Sequence, residues 1–321
     1  MKLFTVSLRY ALSEIRKHGL DRTWWRRRFL THVVSRYYEF IGHEGTPVTA
    51  DDWDNLLVLD ACRYDLFTEA FNDSDLPGIL EKRRSVDSAT PGFLEGTFGE
   101  GTYHDTVYVT ANPYVRLLLD DDTFHAVVDV WEDDWDDEYN TVFPDVLAER
   151  ALSAAERYSD KRLIIHFIQP HYPFVGDVQI GEPSDFTIRD HALGNDDAVA
   201  ESLTPFERLE RGELDHNAVW EAYLSNLKLA FPAVRRLMYN LRGKTVVTAD
   251  HGNALGERAS PFPIRVYGHP LGIKIPALTD VPWLKHQNGD RKPITAEPPT
   301  AECRDVDTET QERLRSLGYT E

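Results

Sequence analysis

Residues 55–61 read NLLVLDA, and residues 244–250 read KTVVTAD. Each is a short apolar run that ends at or next to an aspartate. A strand wetted on one face alternates apolar and polar residues. A near-continuous apolar run of this length suits a strand covered on both faces. Three more stretches read as strands: 105–112 (DTVYVTAN), 126–131 (AVVDVW) and 162–169 (RLIIHFIQ). Helical stretches lie between them at 144–159, 205–211 and 213–241. Pro144 and Pro205 sit where a first helical turn tolerates proline. Strands alternating with helices predict an α/β layered fold.

The chain has 321 residues, of which 41% are hydrophobic, so it can bury a sizeable core and wholesale disorder is excluded. Its formal charge of -19 argues against a nucleic-acid partner. No run reaches the ~18 apolar residues of a membrane span. The two cysteines, Cys62 and Cys303, exclude a disulfide scaffold and a cysteine-built zinc site. The first thirty residues lack an uninterrupted apolar core of the kind a signal peptide carries, so the expected location is cytoplasmic, peripheral to the inner membrane face. Lysine is scarce beside arginine and aspartate is abundant, which leads us to expect solubility in concentrated salt.

The charge is uneven. Residues 1–42 hold nine basic and three acidic residues. Phe4, Leu8, Ala11, Leu12 and Ile15 recur at helical spacing. After Gly19, so do Trp25, Phe29, Val33, Tyr37 and Ile41. Two readings of this basic amphipathic arm stand side by side. Its basic face meets anionic lipid with Trp24 and Trp25 at headgroup level, or the arm packs on the acidic body. Residues 43–321 read as one catalytic domain, with an extended polar segment at 286–310 and a last short helix at 312–317. Ten acids and no Lys or Arg lie between Asp120 and Glu138, a run read as a solvated face.

Three strand ends carry the chemistry. In open α/β sheets ligands collect beyond the carboxyl ends of strands. Asp60 ends the first strand. His171 follows the fourth, in HFIQPHYPF (166–174). Asp250 and His251 end the fifth, in TVVTADHGNALGE (245–257). Carboxylates plus imidazole, without thiolate, suit Mn²⁺, Mg²⁺, Ca²⁺ or Zn²⁺. Singly, a strand-end Asp reads as a cap or turn residue and a lone His as a hydrogen-bonded core or surface residue. The block at 245–257 is more specific, because packing calls for none of its polar residues.

The sequence here resembles the alkaline phosphatase superfamily, on its sulfatase-like branch. The residues that carry the resemblance are LLVLDACRYD (56–65), HFIQPHYPF (166–174), VVTADHGNALGE (246–257), YGHPLG (267–272) and RLRSLGY (313–319). It spans about residues 52 to 319 and leaves out the arm. It implies a three-layer α/β sandwich, a mixed, mainly parallel sheet with helices on both faces. It also implies a divalent metal held by Asp60, Thr90, Asp250 and His251. The nucleophile is expected at a helix start within 85–98 (SVDSATPGFLEGTF), where Thr90 precedes Pro91. Ser88 is the runner-up, and a plain N-cap is the bland alternative for Thr90.

The Cys-x-Pro-x-Arg pattern of sulfatases proper is absent, which points away from formylglycine chemistry and toward a Thr or Ser nucleophile. The Asp-x-x-x-His motif of two-metal relatives is also missing, since the matching region reads Gln169-Pro170-His171, so one metal is expected rather than two. His171 and His269 are expected to bind substrate oxygens or protonate the leaving group, and His269 could instead complete a second, weaker metal site. Arg63 and Asn112 are candidate substrate contacts, with a structural ion pair and a supporting role as their alternatives. His166, inside its strand, reads as core. The implied function is hydrolysis or transfer of anionic phosphate or sulfate esters. The alternative is an inactive member that binds a glycan or lipid headgroup at a membrane surface.

Overall fold

The computed structural model describes Arg16, Gly19, residues 22–181, Arg189 and residues 203–299. The helices expected near 4–15 and at 312–317 lie outside these residues. Among the described residues, nine strands form: β1 Asn55–Leu59, β2 Ile79–Arg84, β3 Tyr103–Thr110, β4 Phe124–Asp129, β5 Arg162–Phe167, β6 Gly243–Thr248, β7 Ala254–Arg258, β8 Arg265–Gly268 and β9 Asp280–Asn288. Seven build one sheet in the order β2-β9-β6-β1-β5-β3-β4. β6, β1, β5, β3 and β4 pair in parallel, and β9 runs antiparallel to both β6 and β2. The sheet is thus mixed and mainly parallel, flanked by helices, which is the architecture expected from the sequence.

The physical reason lies in the middle strands. All five residues of β1 are buried, as are five of six in β5. Such runs bury apolar area on both faces at ~25 cal/mol per Å². α1 Arg22–Phe29 and α2 Ser35–Ile41 belong to the arm, α5 Tyr114–Leu118 and α6 Val130–Asp133 are short, and the main covering helices are α3 Tyr64–Asn72, α7 Pro144–Arg157 and α9 His216–Asn240. In α9, Val219, Ala222, Tyr223, Leu227, Ala230, Val234 and Leu237 make one buried stripe at three- and four-residue steps. Asp215 caps its start, accepting from the Asn217 N–H at 2.7 Å. α8 Pro205–Glu210 begins with a full capping box between Thr204 and Glu207.

Sequence periodicity overlooked β2 and β9. Ile79–Arg84 (ILEKRR) is too charged to read as a core strand, and Asp280–Asn288 (DVPWLKHQN) is interrupted by Pro282 and polar from Lys285 onward. β2 is the edge strand and β9 its inner neighbour, and the Lys82–Asp280 and Lys285–Glu81 ion pairs join the wetted side chains of the two. The polar segment expected at 286–310 is accordingly corrected at its start, because residues 286–288 belong to β9. The run 126–131 also divides. Its first part is β4, whereas Val130 and Trp131 open a short helix.

The arm contributes α1 Arg22–Phe29, a π-helical turn Leu30–Val34 and α2 Ser35–Ile41. Leu30, Val34 and Tyr38 pack against Ala254, Val266, Ile273 and Leu278 in a second, smaller core around the β7–β8 hairpin. The Tyr38 hydroxyl donates to the Ser260 carbonyl at 2.6 Å, and Arg26 and Arg27 pair with Glu210 and Glu207. Trp25, Val33, Phe40 and Ile41 remain exposed.

Candidate metal and nucleophile site

Strand order explains the convergence. β6, β1, β5 and β3 are consecutive neighbours, so their carboxyl ends place Asp250, Asp60, His166 and Asn112 side by side. The turn after β1 puts Ala61 at φ 58, and its N–H donates to Asp250 Oδ1 at 2.9 Å. The His251 N–H gives that same oxygen a second bond at 2.8 Å. Asp60, Asp250 and His251 are fully buried.

Around the carboxylates, His251 Nε2 lies 3.4 Å from Asp250 Oδ2 and 3.7 Å from Asp60 Oδ1. Its other ring nitrogen is 2.9 Å from the Gly252 carbonyl, a contact that places the ring proton on Nδ1 and a lone pair on Nε2. His166 Nε2 lies 3.9 Å from Asp250 Oδ2. One donor atom each from Asp60, His166 and Asp250 fall within 4.8 Å of one another.

Burial sets the electrostatics of the cluster. Burial, then the charge of Asp250, pushes the Asp60 carboxyl well above its ordinary range, against one opposing bond from Asn112. Burial also raises Asp250, but His251, His166, the Ala61 N–H and the Thr90 hydroxyl outweigh it and hold that carboxyl low. Burial pushes His166 and His171 down to about 4, so both rings are neutral at pH 7. Asp60 Oδ1 and His166 Nε2 are buried with no hydrogen-bond partner. Unpaired buried charge costs several kcal/mol. Converging carboxylate oxygens and bare imidazole nitrogens are the donor set of a divalent ion, and the residues present fit one.

Thr90 stands at this cluster. It is the first residue of α4 Thr90–Phe98, with Pro91 in the first turn. It does not cap the helix. Its hydroxyl donates to Asp250 Oδ2 at 2.7 Å and lies 3.2 Å from His251 Nε2. The positive end of the helix dipole therefore points where an anion would meet this hydroxyl. Ser88 is occupied elsewhere. Its hydroxyl reaches the Pro270 carbonyl at 2.9 Å and accepts from the Ile273 N–H at 3.1 Å, tying two loops together.

His171 and His269 come together, with Nε2 atoms 3.1 Å apart. His171 Nδ1 is 2.5 Å from the Tyr172 carbonyl, which puts its proton there and leaves Nε2 as the acceptor toward His269. The His251 and His269 ring centroids are 4.6 Å apart. Asn226 of α9 holds the 169–174 loop: its amide nitrogen reaches the carbonyls of Pro170, His171 and Pro173 at 3.0 to 3.2 Å, and its oxygen accepts from the Val175 N–H at 3.0 Å.

The two candidate substrate contacts, Arg63 and Asn112, are both bonded to protein groups. The Arg63 guanidinium is bonded to both oxygens of Asp65, to Glu257 Oε1 and to the Asn253 carbonyl, so its donors are engaged away from the carboxylate pair. Asn112 gives its amide to Asp60 Oδ2 at 2.6 Å and takes the Tyr114 N–H at 2.9 Å, so it orients a carboxylate. Cys62 is buried, and burial pushes its thiol well up, as suits a packing residue.

Sequence reading passed over His166, because a histidine inside an apolar strand looks like core. The available signal was its register, since His166 pairs with Val58 on β1, two residues before Asp60. Tyr108 and Asn226 carried no local signal at all.

No family model and no curated protein matches the chain. Solved structures with a similar arrangement do. The chain is similar to the lipoteichoic acid synthase LtaP from Listeria monocytogenes, at 12% identity and a TM-score of 0.43, over 81% of this chain and 72% of that one. It is similar also to the C-terminal periplasmic domain of the phosphoethanolamine transferase EptC from Campylobacter jejuni, at 15% identity and a TM-score of 0.41, over 72% and 77%. A third is the C-terminal periplasmic domain of EcEptC from Escherichia coli in complex with Zn, at 12% and 0.36, over 74% and 75%. At these values the likenesses identify no activity; the site is read from its own side chains.

Proposed function

We propose that this protein is a metal-dependent hydrolase or transferase of phosphate or sulfate esters, with Thr90 as nucleophile. The observation that carries this reading is the Thr90 hydroxyl, 2.7 Å from Asp250 Oδ2 at the start of α4 and beside two buried carboxylates. Asp60, Asp250, His251 and Thr90 would hold one divalent ion, which when bound supplies charge neutralisation for an anionic ester.

The side chains then have distinct tasks. Thr90 Oγ1 attacks the phosphorus or sulfur, its proton passing to Asp250, as the bond to the leaving oxygen breaks. His269, half-buried at the lip of the site, acts as the imidazolium: His171 Nε2 holds its Nε2 proton, and its Nδ1 proton passes to that oxygen, leaving the ring neutral. Water or a second alcohol next attacks the group on Thr90 and restores the hydroxyl. Asn112 keeps Asp60 aimed inward, and Arg63 braces the 250–257 turn.

The test is turnover of bis-p-nitrophenyl phosphate, p-nitrophenyl phosphate and p-nitrophenyl sulfate with and without Mn²⁺ or Zn²⁺. The expected result is metal-dependent turnover of at least one, lost about 10³-fold or more in Thr90→Ala and in Asp250→Ala, and partly kept in Thr90→Ser. Undiminished turnover in Thr90→Ala overturns the assignment. Metal binding with no turnover of any ester favours the alternative, a catalytically idle protein that binds a glycan or lipid headgroup.

We further propose that the arm meets an anionic membrane face. Trp25, Phe29, Val33 and Ile264 line an apolar groove of about 800 Å³ together with Arg28 and Arg265. Exposed Leu271 lies two residues from His269, and Gly272 sits against Ser35 of the arm. Apolar side chains beside guanidiniums suit lipid tails beneath phosphate headgroups. Among the described residues no helix is long and apolar enough to cross a membrane. Flotation with vesicles containing phosphatidylglycerol should fall when Trp25, Val33 and Phe40 are all changed to Ser; unchanged flotation removes this role.

A further inference from the structure

The site proposed above contains a single imidazole ligand, His251. We infer that His166 is a second one, and that it turns the site into a mixed nitrogen and oxygen centre selecting Zn²⁺ over Mg²⁺ and Ca²⁺. This rests on the reading of Asp60 and Asp250 as metal ligands.

The position itself is anomalous for a core residue. His166 lies inside β5, fully buried, with Val58 and Thr110 as its register partners. An apolar side chain would fill this space without cost. Instead the ring presents a buried Nε2 with no hydrogen-bond partner. A buried polar atom left unpaired is destabilising.

Distances indicate what the atom faces. The separations from Asp250 Oδ2 to His166 Nε2 and to His251 Nε2 are 3.9 and 3.4 Å, and that from Asp60 Oδ1 to His251 Nε2 is 3.7 Å. The longer two exceed a hydrogen bond. All three are within the ~4.2 Å that two ligands of one ion can span, at about 2.1 Å each. Asp60 Oδ1 shares the lack of a partner with His166 Nε2, as two ligands awaiting one ion would.

Tyr108 completes the arrangement. Its hydroxyl is 2.9 Å from His166 Nδ1, and it too is fully buried. In the ligating form the ring proton sits on Nδ1 and is donated to the Tyr108 oxygen, which fixes the tautomer that turns a lone pair toward the carboxylates. Two imidazoles, two carboxylates and a hydroxyl form a mixed N/O set. Mg²⁺ and Ca²⁺ favour oxygen-only shells, whereas imidazole suits zinc and its neighbours.

The experiment measures metal binding directly on the full chain stripped of metal. Zn²⁺ and Mg²⁺ affinities are taken by competition with a chromophoric chelator, and X-ray absorption of the Zn²⁺-loaded protein counts imidazole ligands. Wild type should show two imidazoles. His166→Leu should show one, with Zn²⁺ affinity down about 100-fold and Mg²⁺ affinity changed less than threefold. Tyr108→Phe should weaken Zn²⁺ about tenfold with both imidazoles kept. His166→Gln serves the same comparison if the leucine variant does not fold. A single imidazole in wild type, or Zn²⁺ affinity within threefold of wild type in both His166 variants, overturns the inference and leaves the metal reading intact. Wild type that binds neither ion, indistinguishably from Asp250→Ala, overturns both.

Discussion

Asn226 is far from the reacting groups in sequence and buried in α9, yet the loop that carries His171 hangs from it. Replacing it by alanine removes one acceptor, for the Val175 N–H, and one amide that serves three carbonyls. Two amide hydrogens can satisfy two carbonyls well, so about three bonds are lost. At about 1 kcal/mol net per bond the direct loss is about 3 kcal/mol, and a cavity adds to it. Because these bonds hold residues 170–175, His171 should also lose its alignment with His269. Chemical denaturation should therefore show Asn226→Ala about 3 kcal/mol or more less stable, with kcat on the best ester substrate down at least tenfold and Zn²⁺ affinity within threefold of wild type. Asn226→Asp should be no better, since it sets a carboxylate against three carbonyl oxygens. Stability within 0.5 kcal/mol of wild type, a margin expected of an unremarkable surface change, would refute the reasoning.

Metal-free protein should lose stability as pH falls from 6.5 to 4. His166 and His171 hold pKa values of about 4 when folded, against 6.5 ordinarily, so over that window the unfolded chain binds protons that the folded chain refuses. The gap amounts to about 3 kcal/mol per histidine, and His171→Asn should lessen the slope measured by denaturation. Gly243→Ala should destabilise by more than about 2 kcal/mol, because Gly243 sits at φ 97 and a methyl group there would collide with buried Asp54; thermal unfolding checks it. Arg63→Lys keeps the charge but not the four-way bonding to Asp65, Glu257 and Asn253, so kcat should fall with KM nearly unchanged, the signature of a brace rather than a substrate clamp. Adding Zn²⁺ to the metal-free protein should raise its melting temperature in a concentration-dependent way, and Asp60→Asn should abolish the rise.

Much of the layered core was legible because burial on both faces leaves a compositional mark. NLLVL and the apolar runs before Asp250 and around His166 state their place without a partner in view. Asp60, Asp250 and His251 were legible for the converse reason, as polar residues where packing needs none. The margins were not. Ile79–Arg84 carries four charged residues and is a strand because β9 offers it a hydrogen-bonding edge, a fact about a partner two hundred residues away.

The same divide runs through the site. Sequence by itself determined the α/β class, the strand-end carboxylates and the Thr-Pro helix start, since each depends on local burial or local geometry. Only the tertiary structure set the Thr90 hydroxyl on Asp250 and the Ser88 hydroxyl on Pro270, bonded Arg63 to Asp65 and Glu257 and Asn112 to Asp60, and brought His166, Tyr108 and Asn226 into account. Those choices turn on which side chains meet across β6, β1, β5 and β3 and α9, and strand order in space leaves no mark on the residues of any one strand.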